Sequence, residues 1–320
     1  MKAVVITRGG GPEVLEYRDW PDPQPAQGKV LVRVEAGGLN FADILSARGS
    51  YPGTPAPPFV AGREFAGVAE DTGEALMGYM QYGAFAEKLS AVPQLLWPQP
   101  RGWTARESAA FPVNFFTAYF AYWQAGLLDA ERSDGRPARV LIHAVAGGVG
   151  TAAVEIGKVL GLEMYGTSSS DDKLARVQQL GLQHPINYQR EDYELRIREL
   201  TNGEGVDAVF EMLGGEHVEK SVRCLNFLGR VITYGSATGQ AAQLNPRILY
   251  AKHNSVHGLW LSPLSAHREI MEPAWSRLSA WIAEGHLKPV VGHVVPMQRA
   301  GEAYRLLMER SNYGKVVLSQ

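Results

Sequence analysis

The segment Arg139–Gly150 constrains the fold more than any other part of the chain. Its sequence, RVLIHAVAGGVG, is an apolar, β-branched run that leads into Gly147, Gly148 and Gly150 and then into an alanine-rich stretch with helical spacing. Glycine is needed in such a turn because side chains would hold the backbone away from a pyrophosphate and the helix away from the strand. The helix start adds free N–H groups and a positive dipole end. The segment therefore predicts a nucleotide-binding turn.

The turn departs from the dinucleotide fingerprint GxGxxG at one position. Gly147 and Gly150 fill its second and third glycine positions, whereas Val145 stands at the first. Glycine-rich turns also occur where a strand and a helix pack closely without a ligand, so the turn alone leaves both interpretations open. We expect the corner at Val145 to be slightly wider than in the standard motif.

A regular alternation of strands and helices begins at the same segment. It predicts a doubly wound parallel sheet covered on both faces, with ligands at the carboxyl ends of the strands and the glycine turn at the first crossover. The predicted strands are 139–145, 163–167, 185–188, 206–210 and 229–234, with 255–261 as a candidate sixth, and the helices lie near 149–160, 171–180, 191–200 and 216–224. The fold class is therefore α/β.

The flanking sequence has a different pattern and predicts a β-rich domain. A C-terminal tail is too short to form a domain by itself, so we expect it to complete the N-terminal one: residues 1–113 and 262–320 form one domain, and 114–261 the other. The predicted strands are 1–6, 14–18, 29–36, 290–297 and 315–319, the helices are 40–48, 108–128 with a break at Pro112, 267–284 and 299–310, and a proline-rich loop covers 49–59.

Composition excludes several functional classes. The chain has 320 residues and a net charge of −2, with lysines and arginines interspersed among acids, so no nucleic-acid partner is expected. It has no apolar run of about 20 residues and no signal-peptide core, so we expect no membrane span and a cytoplasmic location. The single cysteine, Cys224, excludes an intrachain disulfide and a four-cysteine zinc site, and we expect it to be buried on a helix.

The end of the second strand of the parallel sheet indicates the cofactor. An NAD site usually places an acid there, which would repel the 2′-phosphate of NADP. The sequence YGTSSSDDK instead offers the hydroxyls of residues 168–170 and the charge of Lys173, while the aspartates at 171 and 172 suit the start of a helix. A serine-rich turn that only caps a helix fits either cofactor, but the pattern favours NADPH. By the same positional argument Tyr188, Met212–Gly215 and Gly235–Gly239 are candidates at later strand ends.

Taken together, these patterns resemble the zinc-independent, zeta-crystallin-like quinone oxidoreductases of the medium-chain dehydrogenase/reductase superfamily. The similar segments run almost from end to end. They are GLNFAD (38–43), RGSYPG (48–53), GREFAG (62–67), FPVNFFTAY (111–119), HAVAGGVG (143–150), YGTSSSDDK (165–173), EMLGG (211–215), YGSATG (234–239), LNPRILYAK (244–252) and GKVVL (314–318). The resemblance implies a GroES-like catalytic domain, a Rossmann domain and a homodimer formed through the latter.

The resemblance also implies roles for individual residues. Asn40 and Tyr51 are expected near the nicotinamide as the catalytic pair, and Thr117 at its carboxamide. The remaining predicted cofactor contacts follow the order of the ligand: Ala146, Gly147, Gly148, Val149 and Gly150 at the pyrophosphate; Ser168, Ser169, Lys173 and Tyr188 around the adenosine phosphate; and Leu213, Gly235, Ser236, Leu259, Trp260 and Leu261 towards the nicotinamide.

Two departures concern the catalytic domain. Zinc-dependent relatives carry a cysteine where this chain has Asn40 and a histidine where it has Arg63, before Glu64, so the catalytic zinc site is lost and no metal is expected. The histidines at 143, 253, 257, 286 and 293 lack ligand spacing and are interpreted as structural or surface residues. The connection between Gly67 and Ala84 is shorter than in relatives, which leaves the local shape of the site open.

The main hypothesis is hydride transfer from NADPH to a quinone, with Asn40 hydrogen-bonding either the acceptor oxygen or the nicotinamide ribose. Tyr51 either donates a proton or forms a wall of the pocket, and we favour the wall. A second hypothesis is reduction of the activated C=C bond of an enone or 2-alkenal, which needs the same hydride. A third is a non-enzymatic NADPH-binding protein, which would bind the cofactor without turnover.

Overall fold

The computed structural model describes residues 1–24, 26–129 and 135–320. In chain order the strands are β1 (Lys2–Ile6), β2 (Leu15–Asp19), β3 (Val30–Leu39), β4 (Phe59–Val60), β5 (Glu64–Ala69), β6 (Ala75–Tyr79), β7 (Lys88–Ala91), β8 (Leu96–Pro98), β9 (Arg139–Ile142), β10 (Glu163–Ser168), β11 (His184–Asn187), β12 (Val206–Glu211), β13 (Leu225–Thr233), β14 (Ser255–Gly258), β15 (Val291–Pro296) and β16 (Lys315–Ser319). The helices are α1 (Phe41–Ala47), α2 (Ala105–Ala109), α3 (Pro112–Ala125), α4 (Gly148–Val159), α5 (Asp171–Leu180), α6 (Tyr193–Leu200), α7 (His217–Arg223), α8 (Arg247–Tyr250), α9 (Leu261–Leu264), α10 (Arg268–Ala283) and α11 (Ala300–Met308).

The chain divides into two compact units. The first unit comprises Met1–Asn114 and Ser262–Gln320, and the second comprises Phe115–Leu261. In the part of the chain that the structure describes, no helix is long and apolar enough to cross a membrane.

The second unit is built on a six-stranded parallel sheet with the strand order β11-β10-β9-β12-β13-β14. This is the order of dinucleotide-binding folds, in which the direction of winding reverses between the first and fourth strands, here β9 and β12. Its strands are apolar because helices cover both faces, and Leu141, Tyr165 and Val209 are fully buried in one of its cores. The predicted α/β class with a parallel sheet is confirmed.

The described residues of the first unit form two sheets. A three-stranded sheet has the order β2-β1-β4, and a larger one runs β15-β16-β3-β5-β6-β8, with β7 pairing β3. The C-terminal tail completes the larger sheet, because β16 pairs antiparallel with β3 in a register that puts Val316 opposite Leu39. The short connection after Gly67 is a simple hairpin of β5 and β6 that turns through Gly73, which has a φ of 73°. Glycine adopts this left-handed conformation without steric cost.

Several predicted boundaries were wrong. The strand predicted at 139–145 ends at Ile142, because the backbone turns at Ala144, which has a φ of 49°. The predicted sixth strand, 255–261, ends at Gly258, and helix α9 begins at Leu261. Cys224 is buried, as expected, but it caps the end of α7 rather than lying within the helix.

Candidate functional site

The glycine turn of the second unit brings the end of β9 and the start of α4 into very close approach. A Cβ atom at Gly150 would lie 2.5 Å from the carbonyl oxygen of Val145 and 2.6 Å from that of Ala144. No side chain fits there without moving the backbone. The first N–H groups of α4 have no partner within the helix and carry the positive end of its dipole, at the switch point of the sheet. The turn therefore meets the steric and electrostatic needs of a pyrophosphate, and Ala146, Gly147, Gly148 and Val149 lie in it.

Val145, at the first glycine position of the fingerprint, is accommodated by a glycine on the neighbouring strand. Its side chain is fully buried, and a Cβ atom at Gly166 in β10 would lie 2.7 Å from Val145 Cγ2. The backbone N–H of Val145 also donates to the carbonyl of Thr167 at 3.0 Å. Val145 is larger than the glycine expected at this position of the fingerprint, and Gly166 on the neighbouring strand leaves the space that it needs.

His143 supports the turn from within the protein. Its ring is buried, with Nδ1 3.0 Å from Thr167 Oγ1 in β10 and Nε2 3.1 Å from Ser221 Oγ in α7. Both partners are hydroxyls, which donate or accept, so a neutral ring is fully satisfied. Burial lowers the pKa of His143 to about 3, and the nearby His217 and Lys220 act in the same direction. This histidine is a structural residue, as its sequence context suggested.

The predicted adenosine-phosphate residues meet at the ends of β10 and β11. Ser168 ends β10, where its carbonyl accepts the N–H of Tyr188 at 3.2 Å, and the exposed Ser169 follows it. Lys173 lies in the first turn of α5, where burial and the charge of Arg176 lower its pKa. Ser170 caps that helix by accepting the N–H of Lys173 at 3.4 Å.

The carboxylate of Asp171, which could repel a phosphate, is engaged with other side chains. It accepts a hydrogen bond from Asn187 Nδ2 at 2.6 Å and forms an ion pair with Arg190 at 2.6 Å. Its charge is therefore balanced locally, by residues that the sequence alone did not connect with it.

At the end of β12, the buried Glu211 organises the turn that contains Leu213. Its Oε1 accepts the backbone N–H groups of Leu213 at 2.6 Å and Gly214 at 2.9 Å, and its Oε2 accepts the Thr233 hydroxyl at 3.2 Å. Burial raises the pKa of this carboxyl. Sequence reasoning missed Glu211, although an acid that ends an apolar strand was a usable signal.

The other predicted residues of the second unit are spread over three elements. Gly235 and Ser236 follow β13, and Leu259, Trp260 and Leu261 follow β14, whose end is fixed by a 2.8 Å bond from Leu259 N to the carbonyl of Thr233. Thr117 lies in α3, where its side chain is buried.

In the first unit, the side chain of Asn40 is enclosed by a hydrogen-bond network. Its Nδ2 donates to Glu64 Oε1 at 2.8 Å and to the Gly38 carbonyl at 3.2 Å, and its Oδ1 accepts from Lys315 Nζ at 2.7 Å. Both N–H groups of the amide are used within the protein. The amide of Asn40 is therefore engaged within the protein, and donating to an acceptor oxygen would require one of these hydrogen bonds to break.

The partners of Asn40 form a buried ion pair that sequence reasoning also missed. Lys315 Nζ contacts Glu64 Oε1 and lies 3.3 Å from Asn114 Oδ1, while Glu64 Oε2 accepts the N–H of Val113 at 2.8 Å. Glu64 is fully buried and Lys315 is 3% exposed, so each needs the other. The motif GKVVL contains this lysine, but nothing in the motif indicates a partner near residue 40.

Arg63 stands where zinc-dependent relatives have a histidine, and its positively charged side chain is buried. Its guanidinium donates to the Gln81 carbonyl at 2.9 Å and to Ser46 Oγ at 2.6 Å. Its Cζ lies 4.1 Å from the centre of the Tyr51 ring and 4.6 Å from that of Tyr82. In the described ranges, no three His, Cys, Asp or Glu side chains are grouped so that they could hold a metal ion.

Two family models match the chain. The alcohol dehydrogenase GroES-like domain matches residues 26–98, and the zinc-binding dehydrogenase domain matches residues 180–318. A GroES-like domain joined to a parallel nucleotide-binding sheet defines the class of medium-chain dehydrogenases/reductases, and the predicted GroES-like and Rossmann architecture is confirmed.

Individual relatives narrow this class. Human quinone oxidoreductase is 31% identical over 99% of this chain and 97% of its own length. The synaptic vesicle membrane protein VAT-1 homolog of Danio rerio is 30% identical over 99% of this chain and 70% of its own length. The quinone oxidoreductase of Thermus thermophilus, solved alone and in complex with NADPH, is 36% identical, with a TM-score of 0.87 and full coverage of both chains. This chain belongs to the zeta-crystallin-like quinone oxidoreductase family.

Proposed function

We propose that this protein is a zinc-independent oxidoreductase that uses NADPH to reduce quinones. The observation that carries the proposal is the glycine turn. It places Gly150 and the start of α4 at the switch point of a sheet with dinucleotide-binding order, in a chain of the quinone oxidoreductase family.

The preference for NADPH over NADH depends on the strand end after β10. Lys173 supplies a positive charge there, the hydroxyls of Ser168 and Ser169 supply hydrogen bonds, and the charge of Asp171 is balanced by Arg190. The solved relative from Thermus thermophilus, which was crystallised with NADPH, supports the same choice.

When bound, NADPH would supply a hydride, and one proton from the surroundings would complete reduction of a quinone oxygen. A quinone needs little electrophilic help, because it gains aromaticity as it accepts the hydride, so orientation and exclusion of water are the main tasks of the protein. The N–H groups of Asn40 donate to Glu64 and Gly38, which favours a contact with the nicotinamide ribose over donation to a quinone carbonyl. Tyr51, stacked on Arg63, serves as a wall of the acceptor pocket.

We further propose that the protein is a cytoplasmic homodimer formed through the second unit. Among the described strands, β14 pairs with β13 only, so one of its edges is not paired with another strand. Such an edge is a template for pairing with a second copy. The molar mass in solution, measured by light scattering, tests the dimer.

The main test combines binding with turnover. We expect NADPH to bind more tightly than NADH in a fluorescence titration, and quinones to accelerate NADPH oxidation followed by absorbance. A panel of enones and 2-alkenals, with analysis of the saturated products, examines C=C reduction in parallel. NADPH that binds tightly but is not oxidised by any member of the quinone panel would refute the proposal and favour a non-enzymatic role.

A further inference from the structure

The loop between α1 and β4 turns very few of its side chains towards the first unit. Nine of the eleven residues 48–58 are exposed, and only Tyr51 and Thr54 are partly buried. The N–H and hydroxyl of Thr54 donate to the Tyr51 carbonyl at 3.2 and 2.6 Å, which closes the loop on itself. Ser50 holds the start of the loop to α1, because its N–H and hydroxyl donate to the Leu45 carbonyl at 2.9 and 3.2 Å. Beyond Ser50, the position of the loop depends on the contacts of Tyr51 and Thr54.

The guanidinium of Arg63 lies against Tyr51. Its Cζ is 4.1 Å from the Tyr51 ring centre and 4.6 Å from the ring centre of Tyr82, whose hydroxyl in turn donates to Thr54 Oγ1 at 3.4 Å. Arg63 is 2% exposed, so water does not weaken these cation–π contacts. One cation thus holds both partly buried residues of the loop, Tyr51 directly and Thr54 through Tyr82.

The charge on Arg63 is only loosely balanced by its carboxylate neighbour. Asp43 Oδ1 lies 3.5 Å from Arg63 Nε, and that Nε forms no hydrogen bond with any described residue. The other oxygen of Asp43 accepts the backbone N–H of Asn40 at 2.8 Å. The electron-rich ring faces therefore supply part of the stabilisation that a buried guanidinium needs.

We infer that Arg63 is a positioning residue that fixes Tyr51, and with it the 48–58 loop, against the first unit. Its consequence for catalysis rests on the proposed function, in which Tyr51 forms a wall of the acceptor pocket. Arginine is required rather than lysine, because a planar cation stacks on two rings while its edge donates to Gln81 and Ser46, which a compact ammonium does not do.

The loop can be followed without any turnover. Arg48 is exposed at the start of the loop, and trypsin cleavage after it, measured by mass spectrometry, reports release of the loop. We expect Arg63→Lys and Tyr51→Leu each to speed this cleavage about tenfold, consistent with loss of a desolvated cation–π contact. The double variant should be no faster than either single one. Tyr51→Phe, which keeps the ring face, should be cleaved more slowly than Tyr51→Leu.

Turnover provides the second readout. Arg63→Lys should lower kcat/KM for a quinone about tenfold while the Kd for NADPH is unchanged, since the cofactor turn lies in the other unit. If Arg63→Lys does not fold, the double variant Arg63→Met/Asp43→Asn takes its place, because it removes both buried charges. Its cleavage is then compared with that of Asp43→Asn alone. Equal cleavage after Arg48 in the wild type, Arg63→Lys and Tyr51→Leu would overturn the inference. Absence of quinone turnover in the wild type would instead refute the proposed function. The cleavage assay would still decide whether Arg63 fixes the loop.

Discussion

The buried imidazole of His143 makes the stability of the second unit dependent on pH. Its pKa is lowered to about 3 in the folded protein, whereas an unfolded histidine titrates near 6.5. Between these two pH values the unfolded state binds a proton at His143 and the folded state does not. The contribution of His143 to stability is therefore fully present above pH 6.5 and is lost as pH falls from there towards 3. Between pH 7 and pH 5 the loss is about 2 kcal/mol in the free energy of unfolding.

The assay is urea unfolding of the wild type and His143→Gln at pH 7 and pH 5. Glutamine keeps polar atoms near Thr167 and Ser221 but does not titrate, so the variant should lose about 2 kcal/mol less than the wild type over this range. Asp43 does not disturb the comparison. Burial raises its pKa to about 6, so its contribution changes in the opposite direction, but it is present in both proteins.

A matched control is the same substitution at His286, which is exposed. His286→Gln should show the pH dependence of the wild type. If His143→Gln and the wild type lose the same stability between pH 7 and pH 5, the imidazole accepts a proton in the folded state, and the account of its burial between two hydroxyls is refuted.

Three further substitutions probe the two units. Lys173→Ala should weaken binding of NADPH by about tenfold to a hundredfold but barely change binding of NADH, in line with loss of a charge-assisted hydrogen bond; equal effects in titrations would contradict the phosphate assignment. Gly150→Ala should abolish measurable cofactor binding, whereas Gly147→Ala, whose Cβ would lie 3.3 Å from the nearest atom, should be milder; calorimetry with NADPH compares them. Lys315→Met should destabilise the protein by about 3–5 kcal/mol, because Glu64 is left as an unpaired buried charge. The double variant Lys315→Met/Glu64→Gln should recover much of the lost stability, measured by thermal unfolding. A Lys315→Met protein as stable as the wild type would show that the ion pair is not required.

The predictable part of the fold consists of local patterns. The alternation of apolar strands and helices from residue 139 onward is visible as hydrophobic periodicity over a few residues. It predicted the parallel sheet, which the structure contains. The boundaries at Ile142 and Gly258 were not visible in the local composition, because apolar residues continue past both strand ends while the backbone turns, at Ala144 in the first case.

The site divides in the same way. The glycine turn and the Ser-and-Lys strand end were predicted because they are short motifs with a physical requirement at each position. Lys315 was missed because its partner, Asn40, is 275 residues away in the chain. Glu211 was missed because its role depends on backbone N–H groups that converge only when the turn after β12 is formed.

The sequence by itself determined the class of fold, the family and the choice of NADPH as the expected cofactor, because each depends on residue types at short spacing. The tertiary structure decided what those residues can do. It engages both N–H groups of Asn40 within the protein, gives Val145 room beside Gly166, and places Arg63 between two tyrosine rings. These properties depend on contacts between residues that the chain brings together only on folding, where burial makes each unpaired polar group costly.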